Sequence, residues 1–153
     1  MGGHALTRKA PDPARALLLL DTHVLIWAVL NEPHLGPRAA KWINLASHED
    51  RLAVSAITPW EIAMLVSKKR ITLQKDALEW IREALAKPGV SLVALEPEIA
   101  VNSTRLPFEM PSDPADRILV ATARSIGATL VTADKTLLAA AKQGFFPAID
   151  AAK

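Results

Sequence analysis

The sequence predicts an α/β fold in which a short parallel sheet is flanked by helices on both faces. Two observations carry this prediction. Short strand-like runs alternate along the chain with segments of helical periodicity, the order that builds a parallel sheet through crossover helices. The first run, Leu17 to Leu20, is apolar at every position and ends in Asp21-Thr22, which reads as a buried strand passing directly into a helix cap.

The elements follow in order. A helix from about Thr22 to Leu30 ends near Pro33, and Gly36-Pro37 opens a second, with Ala39, Trp42, Ile43 and Ala46 on one face. Leu52-Ala53-Val54 reads as a strand. Thr58-Pro59 then starts a helix through about Lys69. Ala77, Leu78, Ile81, Ala84 and Leu85 recur at helical spacing and mark the next helix. Val90 to Ala94 is a third strand, and Glu98 to Thr104 a short helix ended before Pro107. A turn from Pro107 to Ser112 leads into a helix from Pro114 to Ser125, closed by Gly127. Thr129 to Val131 is a strand, Lys135 to Lys142 a helix closed by Gly144, and Phe145 to Ile149 a last strand weakened by Pro147.

There is no internal repeat or linker, so residues 16–150 are expected to form one domain behind a disordered extension over residues 1–15. Half the residues are hydrophobic and 22% are charged, enough to build a core. The absence of cysteine excludes disulfides, thiol nucleophiles and zinc–cysteine sites, and suits a reducing cytoplasm. Arg8 and Lys9 precede the apolar run from Ala16, but Asp21 and His23 interrupt that run before it could serve as an export signal. No stretch reaches the roughly 18 apolar residues of a membrane span, so a soluble, cytoplasmic protein is expected. A net charge of +2 is too small to argue for nucleic-acid binding by itself. The basic run Lys68-Lys69-Arg70 reads as a solvated helix end.

Four acids carry the chemistry. Asp21 follows the first strand and Asp134 the Thr129 strand, while Glu61 and Asp116 sit in first turns of helices. The carboxyl ends of the strands of an open parallel sheet share one edge, where ligand sites form. Each acid also has a structural reading. Asp21 and Asp134 are good N-caps. Thr58-Pro59-Trp60-Glu61 has capping-box spacing, and Asp113-Pro114-Ala115-Asp116 has the same spacing with an acid in the first turn. Capping alone does not require four acids at one end of one sheet. If they converge, each pair at ~4 Å repels by about 4 kcal/mol at an effective dielectric of ~20, and helix N-termini offset only about 0.3–1 kcal/mol each. A cation must compensate the rest, or some carboxyls must stay protonated. Hard oxygen ligands without a His or Cys set point to magnesium or manganese. A carboxylate site of that kind performs phosphoryl chemistry. No Gly-rich phosphate loop marks an NTPase.

Leu18-Leu19-Leu20-Asp21-Thr22-His23, Trp60-Glu61-Ile62-Ala63, Asp113-Pro114-Ala115-Asp116-Arg117-Ile118-Leu119 and Val131-Thr132-Ala133-Asp134, in that order, resemble the PIN-domain ribonucleases, specifically the toxin of VapBC toxin–antitoxin pairs. The resemblance runs from about Leu17 to Ile149. It implies a PIN-like fold, endoribonuclease activity with magnesium or manganese and an activated water, and structured RNA, often transfer or ribosomal RNA, as substrate. It implies a cognate antitoxin as partner, and a homodimer that joins larger toxin–antitoxin assemblies. Asp21, Glu61, Asp116 and Asp134 match the family's four acids. Asp21 and Asp116 are the expected direct metal ligands, and Glu61 and Asp134 bind metal directly or through water or position the nucleophile. Asp113 is read as the helix cap. Arg117 is expected either to pair with a carboxylate at the site or to form a structural salt bridge.

Two departures stand out. Many relatives carry His or basic residues just before the Asp113 motif, where this chain has Phe108-Glu109-Met110-Pro111-Ser112, which puts the RNA contacts in question. The first fifteen residues exceed what most relatives carry. Trp42 and Trp80, on or beside apolar helix faces, read as core or dimer packing rather than base-stacking residues. Two other functions compete. A phosphatase working through an aspartyl phosphate usually carries a second Asp two residues after its nucleophile, and His23 stands there instead. A non-catalytic RNA- or partner-binding module would be marked by loss of acids, and all four are present.

Overall fold

The computed structural model describes residues 11–153. Leu18, Leu19 and Leu20 form strand β1, and each is shielded from solvent. Their side chains alternate between the two faces of the sheet. Leu18 and Leu20 enter one core and Leu19 enters the other. A run of three leucines, with no polar position, is what a strand with helices on both faces requires.

Helix α1 (Thr22–Leu30) and helix α2 (Pro37–His48) follow β1 and lead to β2 (Leu52–Ser55). Helix α3 (Ile57–Ser67) and helix α4 (Ala77–Leu85) lead to β3 (Val90–Val93). Helix α5 (Pro97–Ser103) and helix α6 (Pro114–Ile126) precede β4 (Thr129–Thr132), and α7 (Lys135–Ala141) precedes β5 (Ala148–Asp150). The five strands are ordered β3-β2-β1-β4-β5, and every neighbouring pair is parallel. Leu18 pairs with Leu52 on one side and Thr129 on the other.

One core lies under α1, α2 and α4, where Val24, Ile43, Trp80 and Ile81 meet Leu18, Leu20 and Val54. The opposite core lies under α6 and α7, where Leu119, Val120 and Leu137 meet Leu19, Ala53 and Leu130. Trp80 is buried and Trp42 packs against the first core, as their helical positions predict.

Helix boundaries follow the local chemistry. Gly127, at φ 65°, ends α6 as its C-cap, in the left-handed region that glycine tolerates. Gly36 opens α2 for a different reason. Its N–H donates to the Ala151 carbonyl at 2.8 Å, and a Cβ there would lie 2.3 Å from the carbonyl carbon of Lys153. The C-terminal backbone is thus seated on the start of α2.

Several expectations need correction. The last strand begins after Pro147, not at Phe145: Pro147 lacks an N–H, but its carbonyl accepts from Leu130. Phe145 and Phe146 instead pack around Phe108. Of the extension expected to be disordered over residues 1–15, residues 1–10 lie outside the described residues. Residues 12–16 form a turn, in which Asp12 holds the N–H groups of Ala14, Arg15 and Ala16, and Arg51 donates to the carbonyls of Pro13 and Ala16. Lys68, Lys69 and Arg70 are exposed at the end of α3. Among the described residues, no helix is long and apolar enough to cross a membrane.

Candidate active site

Strand order decides where the site lies. The chain steps outward from β1 to β2 and β3, then crosses to the other side of β1 to form β4. The carboxyl ends of β1 and β4 therefore flank the topological switch point, where open parallel sheets form their ligand crevice. Asp21 and Asp134 follow these two strands.

Asp21 is held from both sides. Its Oδ1 accepts from the Thr22 N–H at 2.7 Å as α1 begins, and its Oδ2 accepts from the Thr132 hydroxyl at 2.7 Å. The same hydroxyl accepts from the Asp134 N–H at 3.0 Å, so one side chain at the end of β4 fixes two acids. Asp134 Oδ1 in turn accepts from the N–H groups of Thr136 (2.8 Å) and Leu137 (3.1 Å), capping α7.

Glu61 arrives by a route the sequence did not suggest. The capping box expected at Thr58 does not form, because α3 starts at Ile57, whose N–H donates to Ser55 Oγ at 3.1 Å. Thr58 is thereby drawn inside the first turn and fully buried. A buried hydroxyl needs a partner, and Thr58 finds the Thr22 hydroxyl at 3.2 Å. Thr22 donates to Glu61 Oε1 at 2.7 Å, holding that carboxylate across to α1.

Asp113 caps α6 as expected, accepting from the Asp116 N–H at 3.1 Å. Pro114 fits the first helical position, and the cap sets Asp116 in the first turn facing the other acids. No side chain or N–H among the described residues donates to the Asp116 carboxyl. Burial, reinforced by the charges of Asp113, Asp21, Asp134 and Glu61, pushes it up to about 7. Burial also raises Asp21 against the pull of Thr132, Thr22 and His23. It raises Glu61 too, with Asp21 and Asp113 adding to the rise and Thr22 and His23 opposing it. Asp113 thus belongs to the charge cluster, although its capping role alone kept it out of the sequence reading.

The structure brings all four predicted acids to one sheet edge, where each acts on its neighbours. It places Arg117 elsewhere. The guanidinium donates to the carbonyls of Ser103 (2.9 Å), Met110 (3.3 Å) and Pro111 (3.3 Å), and among the described residues it forms no ion pair. Neither pairing expected of it occurs: the segment between α5 and α6 offers bare carbonyls, and a planar fork of donors satisfies several at once. Thr58 was expected only as a helix cap, and Thr22 and Thr132 had no assigned role at the site. Their only signal was position, one residue after Asp21, three before Glu61 and two before Asp134, where threonine reads as ordinary capping chemistry.

Four hard oxygen donors without a thiol suit magnesium or manganese. Among the described residues, no group of three His, Asp or Glu side chains is arranged to hold a metal as it stands. That is compatible with such an ion, since magnesium is usually held by one or two carboxylates and completed by water and substrate oxygens. Mutual repulsion keeps uncompensated carboxylates apart, and the raised carboxyl of Asp116 marks where a cation is most needed.

Residues 18–143 match the family described as PIN domain. Ribonuclease VapC22 of Mycobacterium tuberculosis (strain ATCC 25618 / H37Rv) is 39% identical over 120 residues, covering 78% of this chain and 88% of the relative. Among solved structures, the fold is similar to that of DNA-bound VapBC from Salmonella typhimurium, with a TM-score of 0.65 at 17% identity over 88% of this chain and 98% of that one. It is also similar to a toxin–antitoxin complex from Klebsiella pneumoniae, with a TM-score of 0.57 at 26% identity over 86% and 95%.

Proposed function

The chain belongs to the PIN-domain family, and on that premise we propose that it is the ribonuclease toxin of a toxin–antitoxin pair. It hydrolyses phosphodiester bonds of structured RNA, transfer or ribosomal RNA being the leading candidates, and acts in the cytoplasm. The observation that supports this reading is the set of acids itself: Asp21, Glu61, Asp116 and Asp134 lie around the switch point, and Asp116 is pushed up to about 7 by burial and its acidic neighbours. An arrangement that unfavourable without a cation, in a chain 39% identical over 120 residues to a ribonuclease, fits metal-assisted phosphoryl chemistry. The partner is a cognate antitoxin, in keeping with the toxin–antitoxin complexes among the similar structures. A homodimer within a larger assembly is part of the same proposal.

Asp21 and Asp116 would hold the ion directly, with Glu61 and Asp134 as further ligands or as bases that orient the attacking water. Magnesium or manganese, when bound, stabilises charge on the phosphate and lowers the pKa of water. Thr132 and Thr22 keep Asp21 and Glu61 in place, so little reorganisation is needed when substrate arrives. An ion held there would compensate the negative charge of Asp116 and so favour its carboxylate form.

The test is cleavage of transfer and ribosomal RNA by the purified chain with manganese, magnesium or EDTA. Cleavage with either metal, its loss in EDTA and its loss in Asp116→Asn are expected. Equal cleavage by a folded Asp116→Asn variant would overturn the mechanism.

A further inference from the structure

Phe108, Glu109, Met110 and Pro111 form one wall of an open pocket of about 590 Å³ against α7. The pocket borders Asp134, whose Oδ1 accepts from the N–H of Thr136 in its lining at 2.8 Å. We propose that it receives one nucleobase of the RNA, next to the phosphodiester being cut. This rests on the ribonuclease reading and adds to it a subsite that selects sequence.

Three features favour a base. The lining sets apolar Phe108, Met110, Pro111, Ala139 and Ala140 beside polar Thr136 and Gln143, as a base with apolar faces and a polar edge requires, and the volume is that of a small-molecule site. The lining is not strongly cationic: Arg117, its one cationic side chain, turns Nε and Nη1 to the carbonyls of Ser103, Met110 and Pro111, and Glu109 adds negative charge. Finally, Gln143 Nε2 donates to the Glu109 carbonyl at 3.1 Å, which orients the amide and leaves its Oε1 and second N–H for the edge of a base.

The wall is preformed. Phe108 stacks on Phe145 with ring centroids 4.9 Å apart and lies under the Arg124 guanidinium. Arg117 and Gln143 tie the adjoining carbonyls. A rigid pocket beside the scissile position suits selection, because a base that does not fit misplaces the phosphate.

The experiment compares the wild type with Ala139→Trp, which fills the pocket from an exposed position, and with Gln143→Ala. Each is incubated with manganese and a pool of randomised RNA oligonucleotides, and the cut ends are sequenced. Wild type is expected to prefer particular bases at one position beside the cut. Ala139→Trp should lose that preference and at least about tenfold in kcat/KM, the lower end of what lost pocket contacts cost. Gln143→Ala should flatten the preference with a smaller loss of rate. An oligonucleotide abasic at that position should be cut equally slowly by wild type and Ala139→Trp. Variants that are folded by circular dichroism yet keep both rate and preference overturn the subsite alone. So do unchanged cleavage and weakened antitoxin binding, which would assign the pocket to the protein partner. A wild type that cuts no RNA overturns the ribonuclease reading, and the subsite with it.

Discussion

The Thr22 hydroxyl donates to Glu61 Oε1 at 2.7 Å, joining the first turn of α1 to the second turn of α3 across 39 residues of chain. Thr22 is itself buried and in reach of the Thr58 hydroxyl at 3.2 Å, so Glu61 hangs on a two-threonine support rather than on a helix cap. Replacing Thr22 with Val keeps the shape and removes the donor. Cleavage and manganese affinity should fall by about 10–100-fold, as for lost support of a metal ligand. Thr22→Ser should restore both. A Val variant with wild-type manganese affinity by calorimetry would show that Glu61 needs no such support.

Asp116 predicts a pH dependence in the metal-free protein. Its carboxyl rises from an ordinary 3.8 to about 7 on folding, so between these values the folded state binds the proton that the unfolded state has lost. The associated stability is fully present below pH ~4 and is lost as pH rises through about 7. Asp21 and Glu61, also raised, act in the same direction. In EDTA, Asp116→Asn should therefore melt higher than wild type at pH 8, with a smaller gap at pH 5. Discounted for solvent screening at a half-buried group, the effect is on the order of 1 kcal/mol, or about 3 °C. Manganese should raise the wild-type melting temperature and leave the variant's almost unchanged. A gap independent of pH would contradict the assigned shift.

Arg117 predicts a loop effect rather than an electrostatic one. Arg117→Ala removes the donors for the carbonyl of Ser103 at the end of α5 and for those of Met110 and Pro111 in the segment between α5 and α6. The Ser103 to Ser112 amides should exchange hydrogen faster, and stability should fall by about 1–3 kcal/mol. Arg117→Lys should recover only part of this, since a lysine cannot present a planar fork. Unchanged exchange in the alanine variant would rule out the bracing role.

Gly36 predicts a packing failure at the chain end. A methyl at residue 36 would lie 2.3 Å from the backbone of Lys153, with no flexible side chain to yield. Gly36→Ala should lower stability by about 1–3 kcal/mol by unseating residues 151–153. Deleting Ala152 and Lys153 in the same variant should return part of the loss, measurable by urea denaturation.

What the sequence determined by itself was whatever depends on neighbours along the chain. The unbroken Leu18-Leu19-Leu20 run required a strand buried on both faces, and Asp21, Asp113 and Asp134 are caps because an N-cap needs only its own helix. Asp21, Asp116 and Asp134 were legible as acids at or next to a boundary between elements, whereas Glu61 stands a turn inside α3. Only the tertiary structure decided what depends on strand order and on distant partners. It put β4 beside β1, so that Thr132 reaches Asp21 across 111 residues, and it turned Thr58 from an expected cap into a buried support for Thr22. It also sent Arg117 to backbone carbonyls instead of carboxylates. The physical reason is the same in each case. A hydroxyl or guanidinium can satisfy many partners, and which one it takes is set by whatever unpaired group the fold buries beside it.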